Sequence, residues 1–424
     1  MAHWFHRNPI KPTEFAKFEL GGVLTTDKCS KICAELRMRR QRLLEFYTNA
    51  GNSLAEVDQA FVEYLRLFAG FLVEIGAGQI DSAGGNKNSK LLPLMRFKWG
   101  HSMLSGTASE LSDGWFEAYN QIYCMAIWLM KHAAWVAGKD EVFEREAKEC
   151  LNCLKRAAGM FEYIKKESIR LSGATDIEGS DFDGKIIEAY MLQATAEAQE
   201  VIVGRAIEMK HDAALVSAIA ANTATVFIKA DMLLSSFNED IFSRWRRYLE
   251  LKHHIYQAYA YCYLGESFLA QDKCGDAVRC CTEGVAEYKI ACDFTTKYAN
   301  ASGPGTRIKP ESHPFFRRVE PLLNRHLEKA NRENGFIYHQ RVPDECPKLD
   351  TETNYGLAKS DTFVYPSPSE DWNPSVYAAF DLSKANMPDF SKMKQSKGKL
   401  DPVKEEKVYQ SEKDPNNSSG CVIA

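Results

Sequence analysis

The sequence predicts a mainly α fold of long, consecutively packed helices with a small β element near the N-terminus. Apolar residues recur at helical spacing through most of the 424 residues, and the helical runs are joined by short connections, so neighbours must pack antiparallel. One hairpin, around Gln271-Asp272-Lys273, also carries the spacing of a tetratricopeptide repeat.

The first thirty or so residues read as irregular or extended. Pro9 and Pro12 block a helix there, and Phe15, Phe18, Leu20 and Val23 are the candidates for short strands. Ile32, Leu36, Leu43 and Leu44 then alternate with Glu35, Arg39, Arg40 and Arg42, the pattern of an amphipathic helix. A second helix is expected over 54–75. Residues 76–90, rich in Gly, Ser, Asn and Asp, read as a mobile surface loop; they match neither G-x-x-x-x-G-K-[ST] nor G-x-G-x-x-G, so no nucleotide site is expected there.

Further helices are expected over 108–136, 140–167, 183–210, 213–234, 244–270 and 274–298. Tyr261, Leu264, Gly265, Phe268, Ala277 and Gly284 occupy tetratricopeptide positions, with Cys281 where an aromatic usually stands. One repeat buries its face only against neighbours, so the pair spanning 183–234 is expected to stack on it as a diverged copy.

After Gly303-Pro304-Gly305 comes a helix over 315–333. Residues 349–380 scatter Tyr355, Phe363, Tyr365, Trp372, Tyr377 and Phe380 among prolines; aromatics at that density predict an extended segment lying on the folded body. Apolar content collapses over 382–420, the composition of a disordered tail. The chain thus divides into a folded domain, 1–380, with core helices over about 28–335 and an extended segment over 336–380, and a tail, 381–424.

With 53 basic and 57 acidic side chains and a net charge of −4, the chain has no overall basic field for nucleic acid. The N-terminal twenty residues lack the apolar core of a secretory signal, which predicts a cytosolic protein. No run reaches the roughly 18 consecutive apolar residues of a spanning helix; the best, 122–136, is broken by Lys131 and His132. In a reducing compartment the twelve cysteines read as small buried hydrophobes or reactive thiols rather than a disulfide framework. Cys150-x-x-Cys153 lacks a second pair at zinc spacing, and His132, His253 and His254 lack ligand-spaced partners, so no metal site is expected.

A thiol hydrolase is the enzymatic alternative. Cys33 with Arg39 and Cys150 with Arg156 imitate a phosphatase spacing, yet each lies in a periodic helix without the glycine turn that would cradle phosphate. The last four residues, Cys421-Val422-Ile423-Ala424, form a prenylation motif whose alanine favours a farnesyl thioether on Cys421. Lys392, Lys394, Lys397 and Lys399 offer a second, electrostatic membrane contact, countered by Glu405, Glu406, Glu412 and Asp414 downstream; a solvated linker is the other reading.

Three stretches resemble the Bro-domain family: His3-Trp4-Phe5-His6-Arg7-Asn8-Pro9, Ala196-Glu197-Ala198-Gln199-Glu200-Val201, and Asn334-Gly335-Phe336-Ile337-Tyr338-His339-Gln340-Arg341-Val342-Pro343. They occur in the family's order, and the resemblance extends to about Phe380. It implies an elongated, banana-shaped helical domain with tetratricopeptide-like hairpins. It also implies a partner, the C-terminal amphipathic helix of ESCRT-III subunits of the charged multivesicular body protein class. The apolar contact would fall on Ile202, Leu215 and Ile219, with Arg205 beside it and Glu144 and Lys148 from the preceding helix. Ile202 stands where the family usually has phenylalanine, and Asn152 where it has a basic residue. Tyr338 matches a tyrosine that the family can phosphorylate, and its aromatic surroundings equally suit a packed role. Endosomal membranes and the nuclear envelope are the implied locations.

The residues alone support that patch in part: Ile202 and Arg205 share a helix face at i, i+3, and Leu215 and Ile219 at i, i+4. The expected function is a membrane-tethered adaptor without chemistry, cofactor or small-molecule substrate. A soluble scaffold for another peptide, with Cys421 unmodified, is the alternative binding function.

Overall fold

Short polar side chains decide where the helices begin. Thr26 accepts from the N–H of Cys29 and opens α1 (Asp27–Tyr47), which is followed by α2 (Leu54–Phe68). The computed structural model describes residues 2–75, 88–139, 141–171, 177–353, 356–384, 400 and 402–405. A two-stranded hairpin follows α2, pairing β1 (Phe97–Gly100) with β2 (Ala108–Leu111) in antiparallel register, Phe97 opposite Leu111 and Gly100 opposite Ala108. Asp113 then accepts from the N–H of Trp115 at 2.7 Å and starts α3 (Gly114–Ala137).

α4 (Glu144–Glu167) starts where the Glu146 carboxylate reaches back to the Phe143 N–H. Asp183, Asp212 and Asn238 cap α5 (Gly184–Glu208), α6 (Ala213–Leu234) and α7 (Glu239–Leu269). α8 (Cys274–Asn300) follows, then α9 (Pro314–Glu333), with Pro314 in its first turn, where no intrahelical N–H is needed. The short α10 (Pro374–Ala378) completes the set.

From α3 onward each helix packs chiefly on the next in sequence, through to α8 and α9. Stacking of this kind makes a quasi-linear body with one large core and a smaller second cluster, Leu269, Cys274, Ala277, Val278, Cys281 and Ala330, where α7, α8 and α9 meet. α3 is buried on nearly every side and carries Glu117, Asn120, Gln121, Lys131 and His132 into the interior. α6 is the one helix among the described residues long and apolar enough to cross a bilayer, yet it is packed between α5 and α7.

The expected tetratricopeptide approach is present between α7 and α8. A Cβ on Gly265 would lie 2.5 Å from Cys281 Sγ, and one on Gly284 would lie 2.6 Å from Cys262 Sγ. Each glycine faces a cysteine of the other helix, so the thiols fill the space that the absent side chains leave.

Several expected boundaries change. Helix was expected from residue 108, but 108–111 pair with β1, and the Asp113 cap delays the helix to Gly114. Strands were expected within 15–23; there Phe18 at φ +52° and Gly21 at φ +50° turn the backbone out of the extended region. Phe18 and Val23 are buried as core residues instead, and the N-terminal stretch meets the hairpin through a bridge between Thr13 and Trp99, a Lys98–Glu14 ion pair and an edge contact of Phe18 on Phe97. α7 begins before Arg244 because Asn238 caps it there.

The aromatic C-terminal segment does lie on the body. Residues 339–353 and 356–381 run back over the helices in reverse order as a strap. Arg279 of α8 donates to the Asp344 carbonyl at 3.2 Å, and Asn222 of α6 to the Thr351 carbonyl at 3.0 Å. The Asp361 N–H donates to the Lys155 carbonyl of α4 at 3.1 Å. Tyr365 and Trp372 donate to the carbonyls of Leu65 and Leu67 at 3.2 and 2.7 Å, and Phe380 is buried in the core beside Phe71.

Candidate functional site

Antiparallel order brings the start of α4, the end of α5 and the start of α6 together. Glu144 pairs with Lys148 one turn along α4 at 2.8 Å, and Arg205 pairs with Glu208 at 2.7 Å on α5. The Lys148 ammonium, bonded to Glu144, and the Arg205 guanidinium opposite hold the Glu144 carboxyl below its usual range. The three charges therefore lie together along one edge.

Ile202 and Leu215 are half-buried, each resting on the core while leaving part of its surface open. Leu215 is fixed further by the Asp212 cap, which accepts its N–H at 3.2 Å. Ile219 differs from them: only 1 % of it is exposed, because the strap crosses above it. A Cβ on Gly356 would lie 2.5 Å from Ile219 Cδ1. Ile219 is thus the floor under the strap, while Ile202 and Leu215 are the accessible apolar surface.

Sequence reasoning missed the strap residues that border this surface. Asn222 donates to the Thr351 carbonyl and accepts from Gln199 at 3.1 Å, tying α5, α6 and strap together. Asn152 is exposed on α4, and Lys155, further along the same face, pairs with Asp361 of the strap at 2.8 Å. Phe143 and Met209, 67 % and 62 % exposed, flank the charged rim at the ends of α4 and α5. The only sequence signal for them was an apolar residue at a helix terminus, where a core stripe would not extend.

Behind the groove lies a buried polar network, and it joins the first two stretches that carry the family resemblance. Glu197 accepts from Arg7 at 2.8 Å, Tyr248 at 2.6 Å and Gln193 at 2.8 Å. Glu200 accepts twice from Lys252, at 2.7 and 2.9 Å, and lies 3.2 Å from His3 Nδ1. Burial alone would push the Glu200 carboxyl up; the Lys252 charge and the His3 bond hold it below its usual value. These charges hold the N-terminus against α5 and α7.

The third stretch forms a π-helical turn, Asn334–Tyr338, after α9. Asn334 is buried and accepts from the Gln340 N–H at 2.8 Å while donating to its carbonyl at 3.0 Å. The Tyr338 hydroxyl donates to Asp272 at 2.5 Å in the turn between α7 and α8. Phe336 and Ile337 are 81 % and 67 % exposed, so these apolar neighbours do not pack Tyr338 away.

The thiol constellations do not assemble. Burial raises Cys33 to about 12 and Cys150 well above its usual value, and both arginines are occupied, Arg39 by Glu35 and Arg156 by Asp58. Histidine partners come from other helices, which spacing could not show: His132 Nε2 meets Glu149 at 2.8 Å and His254 meets Glu287 at 2.7 Å. Among the described residues no group of three or more His, Cys, Asp or Glu side chains is placed to hold a metal. Cys421, Lys392, Lys394, Lys397 and Lys399 lie outside the described residues. Within the tail, Glu405 is held by the body: its carboxylate accepts from the Ile10 N–H at 2.8 Å and from the Lys131 ammonium.

The family description "BRO1-like domain" matches residues 86–389. The chain belongs to the BRO1-domain family. It is 66 % identical over 427 residues to the BRO1 domain-containing protein BROX homolog of Caenorhabditis elegans, covering all of both chains. To the BRO1 domain-containing protein BROX of Homo sapiens it is 41 % identical over 384 residues, covering 91 % of this chain and 92 % of that one. Its fold matches the solved ALIX BRO1 CHMP4C complex with a TM-score of 0.61 at 18 % identity, covering 87 % of this chain and 96 % of that one. The elongated BRO1 architecture expected from the resemblance is therefore the architecture present. As a member of this family of non-catalytic adaptors, the chain is a BRO1-type adaptor and not an enzyme.

Proposed function

We propose that this BRO1 adaptor receives the C-terminal amphipathic helix of an ESCRT-III subunit on Ile202 and Leu215, with Glu144, Lys148 and Arg205 as the charged rim and Ile219 as supporting floor. The observation that carries the reading is the pairing of two half-buried aliphatic side chains on adjacent antiparallel helices with an opposite-charge rim. An amphipathic helix needs both, apolar anchors for one face and charges for its flank. The solved complex of the ALIX BRO1 domain with CHMP4C, on the same fold, supports that class of partner. Replacing Leu215 with Asp, checked for an unchanged circular dichroism spectrum, should weaken an ESCRT-III tail peptide by at least about tenfold, roughly 1.4 kcal/mol, in calorimetry. Unchanged affinity with an intact fold refutes the site.

In this reading the adaptor acts at cytosol-facing membranes, endosomal or nuclear, tethered by a farnesyl thioether on Cys421. One such chain, at about 0.8 kcal/mol per buried CH₂, gives reversible attachment, to which Lys392, Lys394, Lys397 and Lys399 would add. Mass spectrometry of the C-terminal peptide from eukaryotic cells tests the anchor; an unmodified Cys421 leaves the soluble scaffold. Tyr338, partly exposed and held by one hydroxyl bond to Asp272, is the proposed phosphorylation site: a phosphate there would face a carboxylate and release the turn.

A further inference from the structure

The strap is fastened to α8 at its first crossing by more than backbone. Cys346 of the strap and Cys280 of α8 stand with their Sγ atoms 4.0 Å apart. Cys280 is fully buried, whereas Cys346 is half-buried and open to solvent on one side. Arg279, next to Cys280, donates to the Asp344 carbonyl and so holds its guanidinium beside the strap. The segment cannot drift far, because the Gly275 N–H also donates to the Gln340 side chain at 3.0 Å.

We propose that Cys346 and Cys280 form a reversible, peroxide-driven disulfide that clips the strap to α8. The two thiols have different roles. Hydrogen bonding between the two sulfurs, and more weakly the Arg279 charge, hold the Cys346 thiol below its usual value against the effect of burial, while the same contact and burial raise Cys280. Cys346, the sulfur open to solvent, is thus the attacking thiol and the buried Cys280 the resolving one.

The thiolate of Cys346 displaces hydroxide from a hydroperoxide such as hydrogen peroxide, giving a sulfenic acid; the hydroxide takes up a proton to become water. Cys280 then attacks that sulfur, its S–H proton and the sulfenic hydroxyl leaving together as a second water. Two thiols are oxidised by two electrons and one peroxide O–O bond is reduced. Closure requires the sulfurs to approach from 4.0 Å to about 2 Å, within reach of side-chain rotation on the strap. A dithiol reductant reverses the reaction by exchange.

The other close pair, Cys262 and Cys281, is fully buried between α7 and α8 and offers peroxide no exposed sulfur. Selectivity for Cys346 therefore follows from position. From Cys346 the strap continues to Thr351, bonded by Asn222, and to Gly356 over Ile219, so the clip fixes the end of the chain that roofs the groove floor.

The test treats the full-length protein with hydrogen peroxide, traps remaining thiols by alkylation and maps the peptides by mass spectrometry. A Cys280–Cys346 linked peptide is expected, with an upward shift in melting temperature that dithiothreitol reverses; C346S and C280S should each lose both the link and the shift. Cys346 oxidised to a sulfinic acid with Cys280 alkylatable, linkage of Cys346 to another cysteine, or both residues alkylated as free thiols overturns the proposal. Oxidation of the exposed Cys292 serves as the internal control that peroxide reached the protein.

Discussion

Asp361 crosses Gly159 so closely that a Cβ on Gly159 would lie 1.8 Å from its carbonyl oxygen. The crossing is locked by the Asp361 N–H on the Lys155 carbonyl and by the Lys155–Asp361 ion pair. A single glycine in the middle of α4 thereby decides whether the strap can lie on the groove-bearing helices.

Gly159→Ala should lift this crossing. An added methyl cannot be accommodated without backbone movement, so a loss of about 1–3 kcal/mol is expected, together with faster tryptic cleavage at Lys359. Cleavage and urea midpoint both equal to wild type would show that the strap is not held there.

Arg7→Ala should be more damaging than its position in an N-terminal segment suggests. Arg7 and Glu197 are both buried, and removing one charge strands the other; a loss of about 3–5 kcal/mol is expected in urea titration. A loss within about 0.5 kcal/mol would mean that the N-terminus is not part of the folded core.

Stability should fall as pH drops from 7 to 5. Burial lowers His6 and His313 to about 3 and His101 to about 4, against 6.5 in the unfolded chain. Between those values the unfolded state binds protons that the native state refuses, so stability decreases with acidification in this window. At pH 5 each neutral histidine costs about 2 kcal/mol, from roughly 1.5 pH units at about 1.4 kcal/mol per unit. Below about pH 4.3 Glu200 adds to the loss: its depressed folded value gives stability above the unfolded value, which disappears as pH falls through the folded one. A urea midpoint that is flat between pH 7 and pH 5 contradicts the histidine assignment.

Glu405→Ala should free the start of the tail. The Lys131 ammonium, only 5 % exposed, and the Ile10 N–H both bind that carboxylate, so trypsin should reach Lys404 faster in the variant than in wild type. Equal rates would indicate that the contact does not hold in solution.

Much of this was legible in the sequence. Periodicity located α4, α5, α6 and α8 to within a few residues, and the spacing of Gly265 and Gly284 gave the close approach of α7 and α8. Glu144, Lys148 and Arg205 were singled out by family resemblance, and the structure brings the three charges together. β2 was misread because four residues of Ala108–Leu111 carry too little pattern to be told from the start of a helix, and their strand partner lies across a turn. Ile219 was read as groove wall because its i, i+4 relation to Leu215 says nothing of what lies above it.

By itself the sequence determined most of the helices and their order of stacking, since apolar periodicity acts within a turn or two of chain. Tertiary structure alone decided which aliphatic side chains stay open, which charges meet in the core, and which cysteines face each other. Those outcomes depend on the path of the strap, where Gly356 reaches Ile219 and Cys346 reaches Cys280. Contacts across so much chain come from where the whole segment packs, which no local pattern encodes.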